Sequence, residues 1–100
     1  MDKNEAYEKV KKYADIVRKN FAVRNIVMFG SYVTGVPRAD SDIDVAVVVD
    51  NITGDFLTFS QCLYKLRRDV DERIEPLLLE KSSDKSGFLA SIMRTGKVVA

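Results

Sequence analysis

Phe29-Gly30-Ser31, then ten residues, then Asp42-Ile43-Asp44-Val45-Ala46-Val47-Val48-Val49 is the stretch whose reading decides the fold. Residues 43–49 are dense in β-branched side chains, which predicts a strand covered on both faces. Residues 25–29, Asn-Ile-Val-Met-Phe, predict a shorter buried strand that Gly30 ends. Ser31 is a good N-cap for a short helix of about two turns, closing near residues 35–37. Residues 38–42 are polar and read as a loop. Outward from this centre, Tyr7, Val10, Ala14, Val17 and Phe21 recur at steps of three and four, which predicts an amphipathic helix over residues 3–20. Residues 50–54 carry turn chemistry. A second amphipathic helix is expected over 55–70, on Phe56, Phe59, Leu63, Leu66 and Val70. A third strand is expected over 72–79, with Pro76 marking it as an edge strand or a bulge. Residues 82–86 read as a loop and 87–94 as a last short helix that Gly96 stops. The order αβαβαβα implies an α/β (α+β) fold, a small mixed sheet of about three to four strands packed with helices.

The same stretch concentrates chemistry. A strand that ends in Gly-Ser and opens a helix suits an anion. Gly30 has no Cβ to keep a ligand off the backbone, Ser31 offers a hydroxyl, and the first N–H groups of a helix are unpaired. Asp42 and Asp44 are two apart at the head of a strand. Period 2 puts both carboxylates on one side and sends Ile43 the other way. Two adjacent carboxylates at the end of a buried strand repel each other, and a divalent cation relieves them. Oxygen-only ligands suit magnesium or manganese. Glu75 is the candidate third acid, because it interrupts an apolar run on the third strand. Asp71 and Glu72 replace it if the register is shifted.

Composition narrows the options. The chain has 100 residues, 46% hydrophobic and 31% charged, which suits one small globular domain. The net charge of +1 gives no indication of nucleic-acid binding. With no histidine, imidazole catalysis, Ser-His-Asp triads and the usual zinc sites are excluded. The first residues lack the apolar core of a signal peptide. The longest apolar run, residues 45–49, is too short to span a membrane. The single cysteine forms no internal disulfide, and a cytoplasmic location is expected.

On Gly30-Ser31, Asp42-x-Asp44 and Glu75 the chain resembles the polymerase-β-type nucleotidyltransferase superfamily. Its size resembles the minimal nucleotidyltransferase (MNT) proteins of bacteria and archaea. The resemblance runs from the strand before Gly30 through Glu75 and on to Gly96. It implies a single minimal nucleotidyltransferase domain over residues 1–100. It also implies ATP as substrate, with Gly30 and Ser31 seating the β- and γ-phosphates. Asp42, Asp44 and Glu75 would be the catalytic acids and metal ligands, holding two Mg²⁺ ions, with Mn²⁺ as the alternative. Glu75 would help to activate an acceptor hydroxyl for in-line attack on the α-phosphate, with pyrophosphate leaving. The chain departs from the pattern in three ways. Tyr32-Val33-Thr34 stands where many relatives carry a basic residue, with Arg38 as a substitute. The third acid is Glu rather than Asp. The acceptor-holding domain of the larger enzymes has no counterpart in residues 1–100.

Three functions compete. One is AMP transfer from ATP to a hydroxyl. The second is an antitoxin paired with an all-helical toxin of the higher eukaryote and prokaryote nucleotide-binding (HEPN) type, whose hydroxyl is the acceptor. The third is a nucleotide-binding module without turnover that acts on a partner protein. A homo-oligomer is the alternative to a partner that completes the site. Lys65, Arg67 and Arg68 read as a solvated helix face, and Cys62 as packing. Tyr32 stays open between packing and ligand contact.

Overall fold

The structure is a computed structural model that describes residues 1–38, 40–52, 54–84 and 86–100. Helix α1 (Lys3–Asn20) begins where the Asp2 carboxylate accepts the Glu5 N–H at 2.8 Å, an N-cap that satisfies one of the unpaired first-turn donors. It buries Ala6, Val10, Tyr13, Ala14 and Val17 along one stripe. Strand β1 (Asn25–Phe29) follows, then a one-turn helix α2 (Ser31–Thr34) and strand β2 (Ile43–Val49). Helix α3 (Phe56–Leu66) runs on into a 3-10 turn (Arg67–Asp69), then comes strand β3 (Ile74–Glu80) and a second 3-10 turn (Lys81–Ser83). Helix α4 (Phe88–Thr95) and the two-residue strand β4 (Lys97–Val98) complete the order.

The strands lie in the order β3-β2-β1-β4. β1 is antiparallel to β2 and to β4, whereas β2 and β3 are parallel. A parallel neighbour needs a crossover, and α3 supplies it. Alternation along the strands splits the sheet into two faces. One face carries Ile26, Met28, Ile43, Val45, Val47, Ile74 and Leu78 and packs with Val10, Tyr13 and Val17 of α1 and Leu63 of α3 in the main core. The other carries Val27, Ala46 and Val48 under Leu89 and Ile92 of α4. Tyr13 is fully buried, and its hydroxyl donates to the Leu63 carbonyl at 2.7 Å, joining α1 to α3. Burial pushes its ionisation well above the ordinary tyrosine value.

Several expectations need correction. The helix after Gly30 has one turn rather than about two, because Gly35 takes an extended conformation and ends it. Its N-cap is Gly30, with Ser31 already the first helical residue. The second long helix ends at Leu66, short of residue 70, and tightens into a 3-10 turn. The third strand starts at Ile74 rather than 72 and is indeed an edge strand. The expected loop at 82–86 starts inside a 3-10 turn, and Lys85 lies outside the described residues, as does Thr53 in the 50–54 turn and Ala39 in the 38–42 loop. β4 was not expected at all.

Asp71 lies just before β3 and ties that strand to α1. It accepts from Lys9 Nζ at 2.7 Å, from the Arg73 backbone N–H at 2.8 Å and from the Arg73 guanidinium at 3.2 Å. Burial alone would push its carboxyl up. The bonds from Arg73 and Lys9 outweigh burial and pull it well below the usual carboxylate range. A carboxylate with a lowered native pKa stabilises the fold above its unfolded pKa, and that contribution disappears as pH falls through the native value. Asp71→Asn should therefore cost about 2 kcal/mol at pH 7, the scale of hydrogen bonds to a charged group. The gap from wild type should narrow progressively as pH drops below about 4, where the unfolded carboxyl protonates, and close only near the native value. Urea unfolding at about pH 7 and well below pH 4 checks this, and an equal gap at both would refute it.

Candidate active site

Parallel register sets Asp44 directly beside Glu75, with Ile43 beside Ile74 one step earlier. Ile43 and Ile74 are fully buried in the main core, so the two acids alternate to the opposite face. Asp42 is exposed just ahead of β2. On the other flank Asp44 pairs with Phe29, the last residue of β1, so the Gly30 turn lies immediately alongside. Gly30 has φ +77° and ψ −152°, a conformation that side chains avoid. A Cβ placed there would collide with Asp44 Oδ2. The missing side chain thus leaves room for the Asp44 carboxylate itself, and backbone turn and acid are in contact.

The turn spends the N–H groups of Val33 and Thr34 on the Gly30 carbonyl and that of Gly35 on the Ser31 carbonyl. The N–H groups of Ser31 and Tyr32 are those a helix start leaves to other acceptors. One turn carries little macrodipole, so these local donors, and not the helix as a whole, would favour an anion. Burial, and after it the negative charges of Asp42 and Glu75, hold the Asp44 carboxyl above its ordinary value. Asp42, Asp44 and Glu75 therefore share one electrostatic neighbourhood. Asp71 does not join it, being paired with Lys9 and Arg73, and the unshifted register leaves Glu72 outside β3.

Residues 11–100 match the family model described as polymerase beta, nucleotidyltransferase. The chain belongs to this family. It is 37% identical over 78 residues to the protein adenylyltransferase MntA of Thermococcus cleftensis, covering 78% of this chain and 76% of that one. A crystal structure from Sulfolobus solfataricus classed as a nucleotidyltransferase superposes with a TM-score of 0.69 at 16% identity. That match covers 96% of this chain and 80% of the other, and at such identity it bears on the fold alone. The protein is thus a nucleotidyltransferase of the minimal type, built on a mixed four-stranded sheet.

The donor set of this nucleotidyltransferase fits a hard divalent cation. A raised Asp44 beside two more acids carries an electrostatic cost that such an ion removes. The same ion would reconcile Asp44 with an anion held at the Gly30 turn it touches. Among the described residues no three acids converge tightly enough to enclose an ion as they stand. Glu75 is engaged by other side chains. Its Oε1 accepts from Arg67 at 3.2 Å and its Oε2 from the Tyr64 hydroxyl at 3.0 Å.

Sequence reasoning missed these two partners. Arg67 was read as a solvated cation, yet it also donates to the Ile74 carbonyl at 2.9 Å and lies 4.9 Å from the Tyr64 ring centroid. Their spacing of three, with Arg67 capping the end of α3, sets both on one side, but nothing local ties that side to Glu75. Tyr32, left open before, is fully buried, and its hydroxyl has no hydrogen-bond partner among the described residues. Arg38 is exposed, its backbone N–H bonded to Ser41 Oγ. Cys62 is partly buried and lines a cleft with Phe21 and Phe59. No helix of the described residues is long and apolar enough to cross a membrane.

Proposed function

We propose that the protein transfers AMP from ATP to a hydroxyl group on a partner protein. The observation that carries this reading is the in-register pairing of Asp44 with Glu75 beside the Gly30 turn. The name of the Thermococcus relative, a protein adenylyltransferase, supports AMP as the group moved. Gly30 and Ser31 would seat the β- and γ-phosphates through the backbone N–H groups and the Ser31 hydroxyl. Asp42 and Asp44 would hold Mg²⁺, with Mn²⁺ as the alternative, and Glu75 would join them on a second ion after exchanging Arg67. When bound, the cation supplies charge neutralisation at the triphosphate and at the oxygens of the transferring phosphoryl group. Glu75 would orient the acceptor hydroxyl and take its proton. The partner we propose is a helical HEPN-type toxin, with this chain as its cytoplasmic antitoxin, because the similar Thermococcus protein is named a protein adenylyltransferase and such a reaction needs a protein acceptor.

One observation favours a second reading, nucleotide binding without turnover. Arg67 and Tyr64 already engage both Glu75 oxygens. Incubation with Mg²⁺ and α-labelled ATP, beside a γ-labelled reaction, separates the two. The reactions would contain the chain alone and the chain with the protein encoded next to it. Label carried onto protein from the α position alone is the expected result. Mg²⁺-dependent ATP binding with no transfer in either mixture would overturn the first reading in favour of the second.

A further inference from the structure

We propose that Tyr64 is an internal acceptor, so that the protein attaches AMP to its own Tyr64 hydroxyl. This rests on the nucleotidyl-transfer reading above and names a substrate for the same site. Tyr64 sits on the outer side of α3, 39% exposed, and is not part of the core. Its hydroxyl donates to Glu75 Oε2 at 3.0 Å, within the range over which a carboxylate takes a proton from a nucleophile. Among the hydrogen bonds of the described residues, it is the hydroxyl that points at a candidate catalytic acid. Its ring lies against the Arg67 guanidinium, which in the metal-free structure also bonds the other Glu75 oxygen, so phenol and carboxylate stand side by side before any cation displaces Arg67 from Glu75.

The step balances within the parts named. Tyr64 Oη forms a bond to the α-phosphorus of ATP. The bond from that phosphorus to the α,β-bridging oxygen breaks, and pyrophosphate leaves with the electron pair. The phenolic proton passes to Glu75. The product is a phosphodiester with one negative charge beside Arg67. Lys65 and Arg68 line the same cleft as Tyr64 and Arg67 and, against the single carboxylate of Glu72 there, leave it net positive. Modification consumes the hydroxyl, so it stops at one nucleotide per chain and fills the place that a partner's hydroxyl would need.

Intact-mass and peptide-mapping spectrometry on the pure chain with ATP and MgCl₂ tests this, with pyrophosphate release followed in parallel. The expected result is a gain of one AMP mapped to Tyr64, absent from Asp44→Asn and from Tyr64→Phe. Its first-order rate should not change with protein concentration, since donor site and acceptor are in one molecule. Tyr64→Phe should still bind Mg²⁺-ATP, which shows that it is folded. Asp44-dependent pyrophosphate release with no adduct, or with an adduct on another residue, would overturn the inference and leave the proposed function standing. Neither release nor adduct, with or without the neighbouring protein, would remove both. A rate that rises in proportion to concentration would also overturn the intramolecular assignment.

Discussion

Asp44→Asn is expected to lower nucleotidyl transfer at least ~100-fold, the scale on which metal sites and charge-stabilising groups fail when one member is lost, while making the metal-free protein slightly more resistant to heat. Both effects come from one geometry. Asp44 is the acid between the Gly30 turn and Glu75, so removing its charge removes the link between phosphate seat and acids. Burial and the charges of Asp42 and Glu75 hold its carboxyl above the unfolded value. The native state therefore keeps this proton to higher pH than the unfolded chain does. Stability conferred at low pH falls as pH rises from the unfolded carboxyl value through the native one. Asparagine has no such proton, so the variant should lose less stability over that window. Thermal unfolding with EDTA between pH 3 and 7 reads the slope, and added Mg²⁺ should raise the midpoint of wild type more than that of the variant. Retained transfer, or an identical Mg²⁺ response, would contradict the assignment of Asp44.

Gly30→Ala should be the other large effect. The substitution forces a side chain into φ +77°, ψ −152°, a strain of about 1–3 kcal/mol. It also drives a methyl group into the Asp44 carboxylate. A displacement of about 1 Å at a reacting centre costs on the order of a hundredfold in rate. Transfer should therefore fall by about that factor even at temperatures where circular dichroism shows the variant fully folded. Gly54→Ala is the matched control. Gly54 also has positive φ, yet nothing lies within 4 Å of a Cβ there, so it should show strain without the loss of transfer. Equal losses of activity in the two variants would mean that backbone strain, and not contact with Asp44, is responsible.

The parts of this fold that were legible are those in which one period repeats long enough to register. α1, β1 and β2 fall at the expected bounds because their apolar residues recur without interruption. β4 was illegible because two residues have no period. It is defined by pairing with Val27 and Met28, which no local pattern reports. Apolar content also misled in places. Phe56 belongs to the stripe of its helix, yet it is half-exposed at the first turn, before α3 reaches the core. The Asp42–Asp44 pair could be read directly, since period 2 alone puts the acids together. Glu75 could be brought to them only by assuming a register. Tyr64 and Arg67 were out of reach, because their role depends on α3 passing beside the β3 edge, a tertiary fact.

The register between β2 and β3 has a consequence for quality control. A slip of one residue would turn Glu75 toward the main core and expel Ile74, Pro76 and Leu78, which sit on that side now. Such a molecule would be both misaligned at its acids and badly packed, hence marked for aggregation or proteolysis. The interior therefore acts as an inspector of the chemistry on the opposite face. A preparation should contain working molecules and unfolded ones, with no well-folded fraction whose acids are out of line.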